Sequence, residues 1–249
     1  MMKKINWRIP AAMVILAAAT LLLAFVLWAV DVQLPDDAAL SAMNSDSQVF
    51  VSGENGWVVF RPAENSRPET GFIFYPGAKV DYRAYAPVLK SIAAAGYFVV
   101  LIPMPLSLAL LDVNAGAVAQ SKYPEIEYWF VGGHSLGGVA ASMFAQGRES
   151  ISGLVLWASS PGDDSLREQG FPVLSIYGTK DGLFSEARVE DSRRLLPASA
   201  LFISIEGGNH SQFGAYGLQE GDNSAEISYE EQWMQTTAAT VEFFIEVLK

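Results

Sequence analysis

Tyr128-Trp129-Phe130-Val131-Gly132-Gly133-His134-Ser135-Leu136-Gly137-Gly138 opens as an apolar run too short for a helix and ends among glycines. Such a run reads as a buried strand. Val139-Ala140-Ala141-Ser142-Met143-Phe144-Ala145 follows it and reads as a helix. Strand, sharp turn and helix with a serine at the apex form the Gly-x-Ser-x-Gly elbow, which presents a hydroxyl at the end of a strand. The residues two before and two after that serine are crowded by neighbouring backbone, and Gly133 and Gly137 have no Cβ to clash there. Gly138, Ala140 and Ala141 are small enough to let the helix lie close to the sheet. The pentapeptide alone also arises as a glycine-rich turn with a solvated serine. The strand before it and the helix after it select the elbow.

Working outward, seven more apolar runs have strand length: 48–52, 57–61, 71–75, 97–102, 151–157, 172–177 and 200–205. The first two are joined by Gly53-Glu54-Asn55-Gly56, a hairpin signal, and a polar loop precedes the third. Helical patterns fall at 85–95, more loosely at 108–122 with Gly116 interrupting, after the elbow, at 185–196 and at 228–248. The last carries Trp233, Val241, Phe244, Ile245 and Leu248 roughly on one face. Alternating strands and helices predict a mainly parallel sheet of eight strands with helices on both faces.

Parallel sheets carry function at the carboxyl ends of their strands. The third strand is followed by Pro76-Gly77-Ala78-Lys79 and the fifth by Ser135. The seventh is followed by Gly178-Thr179-Lys180-Asp181-Gly182 and the eighth by Gly207-Gly208-Asn209-His210. A serine, an acid and a histidine therefore lie on one rim. A serine hydroxyl needs a base to take its proton, and histidine is suited to that. The chain has two histidines. His134 sits beside Ser135 in the elbow and is expected to point away from the reacting centre, which leaves His210 as the base. A carboxylate must hold the imidazole in the right tautomer. Asp181 is the first choice; Asp163 and Asp164, after the sixth strand, are the fallback.

On the stretches 75–81 (Tyr-Pro-Gly-Ala-Lys-Val-Asp) and 132–138 (Gly-Gly-His-Ser-Leu-Gly-Gly), the chain resembles the α/β-hydrolases. It looks like their small, lidless branch near the dienelactone hydrolases, over about residues 48–249. The resemblance implies the α/β-hydrolase fold and a hydrolase triad of Ser135, Asp181 and His210. It names no substrate. The oxyanion donors are expected to be the backbone N–H of Leu136 and one from the loop after the third strand. That loop often reads His-Gly-x in the family. Here it is Pro76-Gly77-Ala78, so Ala78 or Lys79 supplies the second donor. About 14 residues, 158–171, separate the sixth and seventh strands where a lid is usually inserted; the site is expected to be open. Met104, Leu106, Trp157, Phe184 and Phe213 are candidates to line an acyl pocket, and Lys79 to meet an anionic substrate. The part of 214–232 ahead of the last helix is a candidate to shape the mouth.

Residues 9–30 are 22 in a row without a charge. As a helix they span about 33 Å, enough for a hydrocarbon core of about 30 Å. Trp7 and Trp28 fall near the two ends, as interfacial aromatics do. Lys3, Lys4 and Arg8 precede the run; Asp31, Asp36 and Asp37 follow it. The basic flank predicts a cytoplasmic N-terminus and an extracytoplasmic domain. A cleaved signal peptide is the competing reading, but its apolar region is shorter and needs a small-x-small site. Trp28-Ala29-Val30-Asp31 is a poor one, and Ala39-Leu40-Ser41 lies far downstream. The expected organisation is an anchor at 1–30, a polar tether at 31–47 and a hydrolase domain at 48–249.

No cysteine is present, which excludes disulfides, thiolate metal sites and a cysteine nucleophile. Removing the first 30 residues, with Lys3, Lys4 and Arg8, takes the formal net charge from −11 to −14. So acidic a surface argues against nucleic acid and against electrostatic docking on anionic lipid. No cofactor or metal is called for. The expected partners are a small-molecule acyl substrate and the bilayer. The expected activity is cleavage of an ester or similar acyl bond. Peptidase, thioesterase and C–C hydrolase use the same triad, and a binding protein on an inactive hydrolase fold is the alternative outside enzymes.

Overall fold

The computed structural model describes residues 8–63 and 68–249. Lys3, Lys4 and Trp7, expected to flank a membrane span, lie outside the described residues, as does part of the polar loop before Gly71. Eight strands form one sheet: β1 (Val49–Glu54), β2 (Trp57–Pro62), β3 (Thr70–Tyr75), β4 (Phe98–Leu101), β5 (Tyr128–His134), β6 (Gly153–Trp157), β7 (Val173–Gly178) and β8 (Leu201–Ile205). Their order is β1-β2-β4-β3-β5-β6-β7-β8. The pairings β1–β2 and β2–β4 are antiparallel; the remaining pairings are parallel. The hairpin turn is shorter than the four residues expected. Glu54 pairs with Trp57, and Asn55 and Gly56 alone turn the chain at φ 53° and 85°. Positive φ at both central residues matches the twist of a two-residue hairpin.

Among the described residues seven α-helices accompany the sheet: α1 (Arg8–Val30), α2 (Asp37–Ala42), α3 (Ala86–Ala94), α4 (Ala115–Lys122), α5 (Leu136–Ala145), α6 (Glu186–Leu195) and α7 (Tyr229–Val247). Alternation along the central strands divides the core. Phe72, Phe74, Phe130 and Trp157 pack with α3 and α7, whereas Ile73, Tyr75, Val131 and Leu156 pack with α4 and α5. The loose pattern at 108–122 resolves into short turns, Pro105–Ser107 and Ala109–Leu111, and then α4. Gly116 begins that helix rather than breaking it; its N–H donates to the Tyr75 hydroxyl at 2.9 Å.

Two expectations change. The buried face of α7 is Gln232, Thr236, Ala239, Thr240, Phe243 and Phe244, while Ile245 and Leu248 are exposed. The polar members of that face are satisfied. Thr236 and Thr240 each donate to the carbonyl one turn back at 2.7 Å, and Gln232 bonds both backbone groups of Asn209. A hydrophobicity pattern misses such a face because hydrogen-bonded polar groups are cheap to bury. Residues 31–47 are also not a slack tether. Gln33 forms a parallel bridge with Val80, and Asp36 caps α2 by accepting from Ala39 N–H at 3.0 Å. Ala39 is wholly buried.

Between β3 and β5 the direction of chain progression across the sheet reverses. Loops leaving neighbouring strands at such a point diverge to opposite faces and open a crevice. The loop after β3 and the serine after β5 both lie there.

Candidate active site

Ser135 stands between β5 and α5 with φ 52° and ψ −124°, a conformation a side chain adopts only under strong local constraint. The constraint is close packing. A Cβ on Gly133 would strike the backbone of Gly137, and one on Gly137 would strike the carbonyls of Tyr75 and Pro76. The Ser135 N–H donates to the Trp157 carbonyl at 3.0 Å, and its carbonyl accepts from the Ser159 hydroxyl at 2.6 Å. Ser159 was not singled out from sequence. Its signal is weak, since a serine two residues past a strand end is common.

Asp181 and His210 come together from the loops after β7 and β8. His210 Nδ1 lies 2.9 Å from Asp181 Oδ2, and both side chains are buried. The other oxygen, Oδ1, accepts from the N–H groups of Leu183 and Phe184, which fixes the carboxylate. His210 Nε2 is buried and has no hydrogen-bond partner among the described residues. A cavity of about 520 Å³ is lined by Ser135, Leu136 and His210, with Phe184, Arg188 and Asp191 among its other walls. Asp163 and Asp164 are exposed, and Asp163 accepts from Ser165 N–H instead; neither reaches His210.

Asp222 is a second residue the sequence did not single out. Its carboxylate accepts from Gly182 N–H at 2.9 Å and, at 2.8 and 2.6 Å, from the N–H and hydroxyl of Ser211. One acid thus ties the Asp181 loop to the His210 loop. It lies within 214–232, the stretch expected to shape the mouth, but nothing in its local pattern marks it. Gln232 adds a further brace through Asn209.

His134 does not point away. Alternation along β5 puts it on the α3–α7 face with Phe130, and its ring centroid lies 4.4 Å from that of His210. It also stacks on Phe213, and its Nδ1 meets the Tyr85 hydroxyl at 2.9 Å. Burial, and then the neighbouring His210, push its pKa well below the ordinary histidine value, so His134 is held neutral. The Tyr85 hydroxyl also accepts from Gly77 N–H at 3.0 Å, so this pair supports the loop after β3.

Within that loop the Lys79 N–H donates to the Ser107 carbonyl at 3.0 Å. The Ala78 N–H makes no hydrogen bond among the described residues, and neither does Leu136 N–H, the first of α5. Ala78 does not itself wall the cavity. The Lys79 ammonium sits 3.6 Å from the Asp31 carboxylate and 5.0 Å from the centre of the Trp28 ring, which occupies the cation considered for an anionic substrate. Of the five apolar candidates, Phe184 lines the cavity. Trp157 and Phe213 are wholly buried core, Met104 packs in the opposite core layer, and Leu106 lies in the turn after β4. Residues 158–172 form turns and no helix or strand.

The model of a family described as the alpha/beta hydrolase family matches residues 71–234. No curated protein sequence matches the chain. Among solved structures, Est1E from Butyrivibrio proteoclasticus is 12% identical, with a TM-score of 0.56 over 80% of this chain and 100% of that one. A thermostable esterase from Pseudomonas putida is 15% identical, with a TM-score of 0.60 over 84% and 87%. A dienelactone hydrolase from Anabaena variabilis is 18% identical, with a TM-score of 0.56 over 80% and 98%. At such identities the likeness is one of fold. With two thirds of its length matched by the family model, and with its eight-stranded, mostly parallel sheet turning into a strained serine after β5, the chain belongs to the alpha/beta hydrolase family.

Proposed function

We propose that the protein is a membrane-held serine hydrolase that cleaves an ester or similar acyl bond through Ser135, His210 and Asp181. The observation that carries the reading is the 2.9 Å contact of His210 Nδ1 with a fixed, buried Asp181, in the cavity that Ser135 also lines. Asp181 keeps the imidazole proton on Nδ1 and leaves Nε2 to accept. Ser135 Oγ attacks the acyl carbon as its proton passes to Nε2. The developing oxyanion is met by Leu136 N–H, at the positive end of α5, and by Ala78 N–H. The bond to the leaving alkoxide breaks as His210 returns the proton to it. Water, deprotonated by His210, then releases the acid from the acyl-enzyme.

Membrane attachment is supported by α1. The stretch Met13–Val30 is long and apolar enough to cross a bilayer and is almost uncovered by the domain, which argues against a core helix. The docking of residues 31–36 favours retention over cleavage after Ser41, because cleavage would strip the Gln33–Val80 bridge. With the cytoplasmic basic flank, the domain sits outside the cytoplasm. The test is labelling by an organophosphonate. Ser135 is the expected sole adduct, and Ser135→Ala abolishes both labelling and ester turnover. An alanine variant as active as the parent on every ester tried overturns the reading.

A further inference from the structure

The chain leaves α1 without slack. Ala29 is wholly buried, and α1 packs against the turn Pro105–Ser107. Gln33 N–H donates to the Lys79 carbonyl at 2.7 Å, and Asp81 N–H donates to the Gln33 carbonyl at 2.9 Å. Asp31 and Trp28 hold the Lys79 ammonium, and Asp36 N–H donates to the Ala215 carbonyl at 2.9 Å. The exit of the apolar helix is thereby fastened to the loop that carries Ala78 and to the segment just after His210. Three residues, even fully extended, reach about 10 Å. The bilayer surface at Val30 is therefore within about 10 Å of the rim at Lys79.

Around this exit, exposed apolar side chains stand among exposed acidic ones, Asp31, Asp36, Asp37 and Asp112. Val30 and Leu34 flank the Gln33 bridge, Leu110 and Leu111 follow the turn that holds Lys79 N–H, and Leu218 lies three residues past Ala215. Each is at least 44% exposed. The domain as a whole, this rim included, is acidic, which disfavours contact with anionic lipid by charge alone. Exposed leucines and a valine tied to the end of a span have one occupant within reach, the headgroup and acyl boundary of the bilayer that the span crosses, with the carboxylates between them facing the headgroups.

We propose that residues 28–36 moor the catalytic rim on that bilayer surface, and that the substrate is an acyl ester resident in the same leaflet, its chains left in the lipid while its ester bond enters the cavity. This rests on the membrane-held hydrolase reading above. Mooring turns encounter into a two-dimensional search at high effective concentration.

The test uses the full chain in phosphatidylcholine vesicles with two umbelliferyl esters that share a leaving group, the water-soluble butyrate and the bilayer-resident palmitate. Inserting 20 Gly/Ser residues between Val30 and Asp31 keeps Gln33 on Val80 but frees the rim by about 25 Å. Palmitate turnover is expected to fall at least tenfold, with butyrate turnover within about twofold of the parent. Equal palmitate turnover in parent and variant, or butyrate turnover with none of palmitate, overturns the proposal. A second readout is independent of catalysis. The chain has no cysteine, so L111C carries a single fluorophore. Quenching by lipid-borne spin label is expected in the parent and not in the linker variant; no quenching in the parent overturns the mooring. Turnover of neither ester with the fluorophore quenched refutes the hydrolase reading, and release of the chain from vesicles by carbonate refutes the span, each taking this proposal with it.

Discussion

Asp181→Asn is the sharpest test of the site because the structure dictates how the new amide must sit. Asp181 Oδ1 accepts two backbone N–H groups, from Leu183 and Phe184, in a fully buried position. Only the carbonyl oxygen of an asparagine can replace it there, since an NH₂ would leave three donors facing one another. The amide NH₂ must therefore take the place of Oδ2, 2.9 Å from His210 Nδ1. It donates to Nδ1, which forces the imidazole proton onto Nε2, the atom that should receive the serine proton. The variant keeps its hydrogen bonds and its fold but holds the wrong tautomer. A loss on the order of 10⁴ in kcat is expected, or about 5.4 kcal/mol at about 1.36 kcal/mol per decade. The assay is steady-state turnover of an activated ester, with thermal unfolding of the same preparation to show that the fold is retained. A variant within about tenfold of the parent refutes the reasoning. If Asp163→Asn or Asp164→Asn then costs more, the acid belongs to the loop after β6.

Two other outcomes are expected. His134 is held neutral, so its folded pKa lies below the unfolded value near 6.5, the unfolded chain takes up the proton first as pH falls, and stability drops with it. From pH 7.5 to 5.5 this costs at most about 1.4 kcal/mol, the limit set by the unfolded pKa alone. Urea unfolding at the two pH values should show that extra loss in the parent and not in His134→Asn; equal losses would show that His134 is not desolvated. Gly137→Ala drives a methyl into the carbonyls of Tyr75 and Pro76, which cannot yield without moving the loop that bears Ala78. It should destabilise by roughly 1–3 kcal/mol and slow acylation, whereas Gly53→Ala, with open space around it, should do neither; unchanged acylation in Gly137→Ala would mean that the elbow has slack.

The sequence alone determined what local physics determines. Apolar runs bounded by Gly and Pro are short enough to be only strands, so all eight were legible to within a few residues. The elbow was legible because a glycine on either side of Ser135 has a local steric reason, and the short connection from β6 to β7 because its length is simply countable. Tertiary structure decided whatever depends on which distant groups meet. The order β2-β4-β3-β5 puts the loop after β3 beside the serine after β5, and no periodicity encodes it. His134 meets His210 because alternation along β5 carries the residue next to Ser135 onto the face where the β8 loop folds back. Asp222 binds both the Asp181 and the His210 loops, 41 and 12 residues before it in the chain. Residues 31–36 read as a polar tether because main-chain pairing to Val80 and Ala215 leaves no mark on side-chain polarity. Backbone hydrogen bonds are open to any residue with an N–H and a carbonyl, so only the folded chain reveals where they go.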